Sequence, residues 1–248
     1  MGMKRTTIGF DRKIQLDWLD ATAEWAAQGR PTAEIRGQLE QLLEGKVAGV
    51  GAHSARGKTM TVLMHIWVLV PDTLIPLRDD GLAIIRSRSG RDRLPLHWGM
   101  CMATYPLFRD VASTTGRLLA LQGTATLSQV VRRMTESWGE RSTLTRAVQR
   151  VVRSFVDWGV LLEADEPGIF SAASKIAVPS LDGAWLLEAI VSASEGRGQP
   201  FRSLIGAPAF FPFGMKLTPS DLHGRGRLEI HRQGIDEDFV MLKDKGIR

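Results

Sequence analysis

The sequence predicts a mainly α-helical protein with small β-hairpins, built as a helical N-terminal bundle followed by a basic helical unit with a hairpin. Three observations predict it. Apolar residues recur at helical spacing through most of the first 160 positions. Strand-like runs are short and follow helices, from Val160 and again from Arg227. No alternation of strand and helix runs along the chain, as a parallel sheet would require.

Composition sets the bounds. The 248 residues are 44% hydrophobic and 24% charged, ordinary for a folded chain with a real core. A net charge of +5 and an isoelectric point near 9.7 favour polyanionic partners without naming one. The single Cys101 excludes an internal disulfide and a multi-cysteine zinc site. The longest apolar run, Met60 to Val70, is interrupted by His65, closed by Pro71 and too short for a membrane span. The first residues, Met-Gly-Met-Lys-Arg-Thr-Thr, lack the apolar core of a signal peptide, so a cytoplasmic location with no membrane partner is expected.

In the N-terminal part, residues 1–105, Ile14, Trp18, Ala21 and Trp25 predict a helix over Phe10–Gln28, which Gly29 and Pro31 end. Ile35, Leu39, Leu42 and Leu43 predict a second helix over Thr32–Leu43, and a third covers Lys58–Val70. The Gly-rich link between them contains Ala52-His-Ser-Ala-Arg-Gly57-Lys58-Thr59, a relaxed phosphate-loop pattern. A true phosphate loop follows a buried strand, whereas a helix precedes this one, so it reads as a basic, solvated interhelix loop. Thr73–Arg86 reads as a turn and short helix punctuated by Asp79-Asp80-Gly81. Arg86 to Arg93 is a basic loop in which Arg88 and Arg91 could lie along a phosphate backbone or merely be solvated. Leu96–Thr104, with His97, Trp98 and Cys101, reads as core, since no second ligand follows at metal spacing.

Residues 106–179 carry the densest signals. Pro106 opens a helix running to Gln122. Thr126-Leu-Ser-Gln129 is a capping box for a helix whose stripe is Leu127, Val130, Val131, Met134 and Trp138. Gly139-Glu140-Arg141 is a turn, and Ser142 is placed to cap the next helix. That helix buries Leu144, Ala147, Val148, Val151, Val152, Phe155 and Trp158 on one side. Thr143, Arg146, Arg150, Arg153 and Asp157 align on the other, with Gln149 beside them. Arginine and glutamine suit two-pronged contacts with base edges, and basic side chains meet phosphates. After Gly159, Val160–Glu163 and Ser174–Val178 are predicted to pair as a hairpin through Ala164-Asp-Glu-Pro-Gly168.

The order helix, short turn, helix, hairpin resembles the winged helix-turn-helix. The resemblance implies duplex DNA binding through Thr143, Arg146, Gln149, Arg150 and Arg153, helped by Arg132, Arg133 and Arg141, with Arg88 and Arg91 on the backbone. The acidic tip, Asp165 and Glu166, departs from a DNA-contacting wing. Residues 180–248 hold a helix over Leu181–Ser194, a loop over Glu195–Pro200 and a turn at Phe201–Ile205. An aromatic plug at Ala207–Phe213, a helix start at Thr218–Leu222 and strands at Arg227–Arg232 and Phe239–Leu242 complete the segment. They suggest a second, degenerate winged unit with Arg225, Arg227, His231 and Arg232 as its basic residues.

No catalytic frame stands out: the five histidines are scattered, and no cofactor or metal motif is complete. A non-catalytic DNA-binding protein is the expectation. In size and layout the chain resembles BrxA, the small DNA-binding component of BREX phage-defence systems, which implies a part in bacterial anti-phage defence beside other proteins of a defence complex. Two alternatives stay open. A protein-docking adaptor is favoured by the acidic tip and by tryptophans that could be exposed, and a nucleotide hydrolase rests on Gly57-Lys58-Thr59.

Overall fold

The computed structural model describes residues 8–194, 198–224, 226–233 and 237–243. Arg225, Gly234, the first half of the predicted Glu195–Pro200 loop and the chain ends lie outside the described residues. The protein is mainly helical with small sheets. Three helices come first: α1 (Leu16–Ala27), α2 (Thr32–Leu43) and α3 (Ala55–Trp67). Then follow α4 (Ile75–Ile85), α5 (Leu94–Thr104), α6 (Pro106–Gln122), β1 (Thr124–Thr126), α7 (Leu127–Trp138), α8 (Ser142–Asp157), β2 (Leu161–Glu163) and β3 (Ile169–Ala172). The remainder is β4 (Ile176–Val178), α9 (Ser180–Ser192), β5 (Gln199–Pro200), α10 (Phe201–Ile205), β6 (Phe213–Met215), β7 (Leu228–Gln233) and β8 (Glu237–Leu242).

Two helices are buried all round and form the centre. Every residue of α5 from Leu94 to Met102 is buried, as is every residue of α9 from Asp182 to Val191. They pack closely because glycine replaces a side chain at the crossing. A methyl at Gly99 of α5 would sit 2.4 Å from the Trp185 ring of α9, and one at Gly81 of α4 would sit 2.8 Å from it. The indole is thus clamped, with its N–H donating to Leu77 O at 3.0 Å. Gly81 is therefore a packing residue inside α4, not the turn expected from its Asp-Asp-Gly setting.

Two carboxylates on α9 are buried and need partners, since a lone charge in the interior costs several kcal/mol. Arg88 donates to both oxygens of Asp182 at 3.0 and 3.2 Å, which pushes the guanidinium pKa up still further. Arg227 binds Glu188 through its side chain and its own N–H, and reaches Asp80 at 3.0 Å. His97 of α5 is fully buried and accepts from Trp67 Nε1 at 3.0 Å through Nδ1, so Nε2 carries the proton and donates to Asp20 at 2.9 Å. Burial pushes its pKa down, which keeps it neutral.

Trp98, also on α5, ties the later elements together. Its ring meets Phe155, Trp158, Phe211 and Phe213. The tryptophans that could have been exposed are core residues: Trp18, Trp67, Trp98, Trp138, Trp158 and Trp185 are buried and Trp25 is half-buried.

Four predicted elements differ. The third helix starts earlier than Lys58 and ends before Val70: α3 runs from Ala55, where Ser54 caps it, to Trp67. Residues 10–15 precede α1 instead of opening it. Ile14 N–H donates to Ser154 Oγ at 2.9 Å and Ile14 O accepts from Trp158 Nε1 at 2.9 Å, so α8 supplies the partners a helical turn would have. The hairpin closes earlier than predicted. β3 supplies its second strand because Phe170 is buried there, with Glu163 opposite it. β4 instead pairs in parallel with β6, a long-range contact no local pattern reveals. On its other edge β3 takes β1, giving the order β1-β3-β2, all antiparallel. The last sheet has the order β5-β8-β7, also antiparallel.

Candidate nucleic-acid interface

The candidate interface is the outer face of α8, and the sequence around it fixes how it stands. Thr126 caps α7 by accepting from Gln129 N–H at 3.1 Å, while the Gln129 side chain returns to Thr126 N–H at 3.0 Å. The capping box is thus present in full. Gly139 ends α7 at φ 79°, a left-handed conformation that other residues avoid, and lets α8 start three residues later. Ser142 is the first helical residue of α8 and not its cap: Arg141 occupies the cap position, with no side-chain cap bond. Leu144, Ala147, Val148, Val151, Val152 and Phe155 are buried, as the periodicity requires. Ser154 is also buried, between the Arg150 carbonyl and Ile14 N–H.

The opposite face carries Thr143, Arg146, Gln149 and Arg150, all exposed. Arg146 and Arg150 lie one turn apart, and neither side chain has an ion-pair or hydrogen-bond partner among the described residues. From Thr143 to Arg150 the face runs roughly 10 Å at 1.5 Å per residue, a length that fits within a DNA major groove about 12 Å wide.

The other expected contact residues are placed differently. Arg153 is half-buried and bonded to Glu163 of β2, with its guanidinium 6.0 Å from the Phe170 ring. Glu163 also accepts from Gly168 N–H at 3.0 Å, and these two donors hold its carboxyl below the usual range. Arg153 is therefore a clasp between α8 and the hairpin. The sequence offered no sign of it, because the pair lies on two elements whose relative placement is tertiary. Arg88 is not available either: its charge is committed to Asp182, and removing it would strand a buried carboxylate. Arg91 Nη2 donates to Gly159 O at 2.8 Å and so steadies the chain just after α8. Arg132 and Arg133 are exposed and share Glu136 at 4.0 and 3.4 Å, weak surface pairs that leave both near solvent. Arg141 is exposed and engaged within the protein. The tip of the hairpin exposes Asp165 and Glu166.

The phosphate-loop-like segment has its own explanation. Ser54 caps α3, accepting from Gly57 N–H at 3.0 Å. Arg56 N–H donates to Ala48 O at 3.2 Å and Lys58 N–H to Ser54 O at 3.0 Å, so these amides are already satisfied. A methyl at Gly57 would stand 2.3 Å from Gly51 O, so the glycine is required by the folded-back loop itself.

Among the described residues, no group of three or more His, Cys, Asp or Glu side chains could hold a metal ion. No single described helix is long and apolar enough to cross a membrane. The bent pair α3 with Asp72–Ile85 passes by length and composition, but Met60, Leu63, Trp67 and Leu77 within it are buried in the protein. No protein-family model matches the chain, and no characterised protein or solved structure is significantly similar to it.

Proposed function

We propose that residues 106–172 act as a winged helix-turn-helix that binds duplex DNA, with α8 as the recognition helix. The observation that carries this is the pair Arg146 and Arg150, exposed and unpartnered among the described residues while Arg88, Arg91 and Arg153 are all engaged nearby. Cations left unpaired on a rigid helix, next to Thr143 and Gln149, suit a phosphate-lined groove with base edges at its floor. The order α6-β1-α7-α8-β2-β3 supports the reading, since a helix-turn-helix is followed by a hairpin and β1 closes that hairpin into a three-stranded sheet. Arg132 and Arg133 on α7 are in reach of flanking phosphates.

The test is a salt series with duplex DNA. Affinity should fall steeply as salt rises, because each neutralised phosphate contributes a slope of about −0.9. Arg146→Ala and Arg150→Ala should each weaken binding by about 1–3 kcal/mol while changing unfolding free energy by no more than about 0.5 kcal/mol. Absence of binding at low salt sinks the proposal.

The segment 180–242 is proposed as a second, degenerate winged unit, since α9, β5, α10, β7 and β8 repeat the sheet order of the first. A part in bacterial anti-phage defence, with other proteins of a defence complex, follows from the resemblance in size and layout to BrxA, and is tested by phage plating on cells lacking the protein. The protein-docking alternative is favoured by Asp165 and Glu166 at the tip, and would give a DNA affinity indifferent to Arg146→Ala. The hydrolase alternative predicts nucleotide-dependent thermal stabilisation lost in Lys58→Ala.

A further inference from the structure

DNA binding through α8 leaves a cleft at the other end of the chain without a role. Helices α2 and α3 pack against each other, and a cavity of about 160 Å³ lies between them. One water needs only about 15 Å³. Arg36 and Glu40, one turn apart, line it from α2, and Arg56 and Met60, also one turn apart, line it from α3. The Arg56 guanidinium is set for a ligand. Its Nε is shut off from solvent and has no acceptor among the described residues. Its Nη nitrogens also lack a partner but remain open to solvent. The buried Nε fixes the stem, so little side-chain freedom is left to lose on binding. Partial removal from water also strengthens the pull on an anion. Arg36 is exposed, and its side chain has no partner among the described residues either. Glu40 lines the same cavity and pairs with neither arginine. Two guanidiniums that no carboxylate neutralises therefore share one cleft.

The donor set selects the ligand. A carboxylate is satisfied by one guanidinium fork, whereas two forks from two helices suit a tetrahedral anion with several free oxygens. Glu40 repels the anion itself but accepts from a hydroxyl, so it favours a phosphate ester that carries hydroxyls over the bare ion. The backbone of the phosphate-loop-like segment is not the donor, since the amides of Arg56, Gly57 and Lys58 are already bonded within the protein. Nor is its lysine. Lys58 follows Arg56 by two residues, about 200° around α3, and does not line the cavity. The segment thus presents its arginine to the cleft and its lysine to solvent.

We infer that the α2–α3 cleft binds the phosphate monoester of a small hydroxylated molecule, with Arg36 and Arg56 on the phosphate and Glu40 on a hydroxyl. The site does not rest on DNA binding by α8. Calorimetric titration of the full chain with ribose 5-phosphate, inorganic phosphate and ribose tests it. Ribose 5-phosphate should bind, inorganic phosphate should bind more weakly, and ribose should give no heat. Arg36→Gln and Arg56→Gln should each weaken ribose 5-phosphate by about tenfold or more, since each removes charged hydrogen bonds. Arg56→Lys keeps the charge and the buried stem, so it guards against a folding defect. It should still weaken binding, because an ammonium cannot fork two oxygens. Glu40→Ala should narrow the preference for ribose 5-phosphate over inorganic phosphate, and Lys58→Gln should bind like wild type. No heat with ribose 5-phosphate overturns the inference, as does inorganic phosphate binding equally well. Wild-type binding by Arg36→Gln or by both Arg56 variants overturns it too. A loss in Lys58→Gln equal to that of the arginine variants would move the phosphate out of the cleft. Saturating duplex DNA should leave ribose 5-phosphate binding in place; competition would assign the cleft to backbone phosphate and overturn the small-molecule assignment.

Discussion

Residues 106–172 and residues 180–242 share a strand order and differ in what stands between the strands. In the first, the twelve-residue α7 and then the sixteen-residue α8 separate β1 from β2. In the second, β5 is followed by the five-residue α10, and the last element before β7 is a turn of 3-10 helix at Pro219–Leu222. The charges differ in the same sense. Arg146 and Arg150 on α8 have no partner among the described residues, whereas Arg227 is held by Glu188 and Asp80, and His231 bonds Glu229. The same small sheet can therefore carry cations aimed outward or cations turned inward as structural ties. Counting basic residues does not distinguish the two; partner geometry does.

The largest effect should come from breaking an inward tie. Arg227→Ala leaves Glu188 buried without its counter-charge and should destabilise the protein by about 3–5 kcal/mol, read as a lower urea midpoint. If it costs no more than a surface arginine, the contrast between the regions fails.

A second effect tests whether both regions unfold together, since both rest on α5 through Trp98 and Trp185. His97 on that helix has its pKa lowered from 6.5 by burial. Its contribution is fully present above pH 6.5 and is lost as pH falls below it, because the unfolded chain takes up a proton that the folded one refuses. The loss should reach up to about 1.4 kcal/mol per pH unit until the folded value is passed. Urea unfolding at pH 7.5 and 5.5 should show one transition moving to lower denaturant, with a smaller movement in His97→Gln. The Glu163 carboxyl, whose pKa is also lowered, titrates in a separate window below 4.5.

The smallest effect sharpens the outward face. Glu163→Gln removes the charge that holds Arg153, so duplex DNA affinity should rise by less than tenfold and the salt slope should steepen by about 0.9. An unchanged slope would show that Arg153 remains a clasp without its carboxylate.

Much of the fold was legible because its signals are local. α2 and α6 run over the residues their periodicity and their Pro and Gly boundaries indicate, and the Thr126–Gln129 capping box opens α7 as its spacing requires. The split of α8 into a buried and a polar face was equally clear. Most of what failed depended on partners far along the chain, the Ser142 cap and the start of α3 being local exceptions. The true second strand of the hairpin, the short β1, the parallel pairing of β4 with β6 and the extended course of residues 10–15 are each fixed by another element. Of the proposed contact residues, Thr143, Arg146, Gln149 and Arg150 stand exposed together as the helical period places them. Arg88, Arg91 and Arg153 do not share that freedom, because a sequence shows where a cation sits on its own helix and not which carboxylate faces it.

The sequence by itself determined most of the helices, the capping box of α7 and the two-sided character of α8, since each depends on residues within a few turns of one another. Only the tertiary structure decided which arginines remain unpaired and which close the interior, because a buried carboxylate such as Asp182 or Glu188 takes whatever cation the packing brings to it.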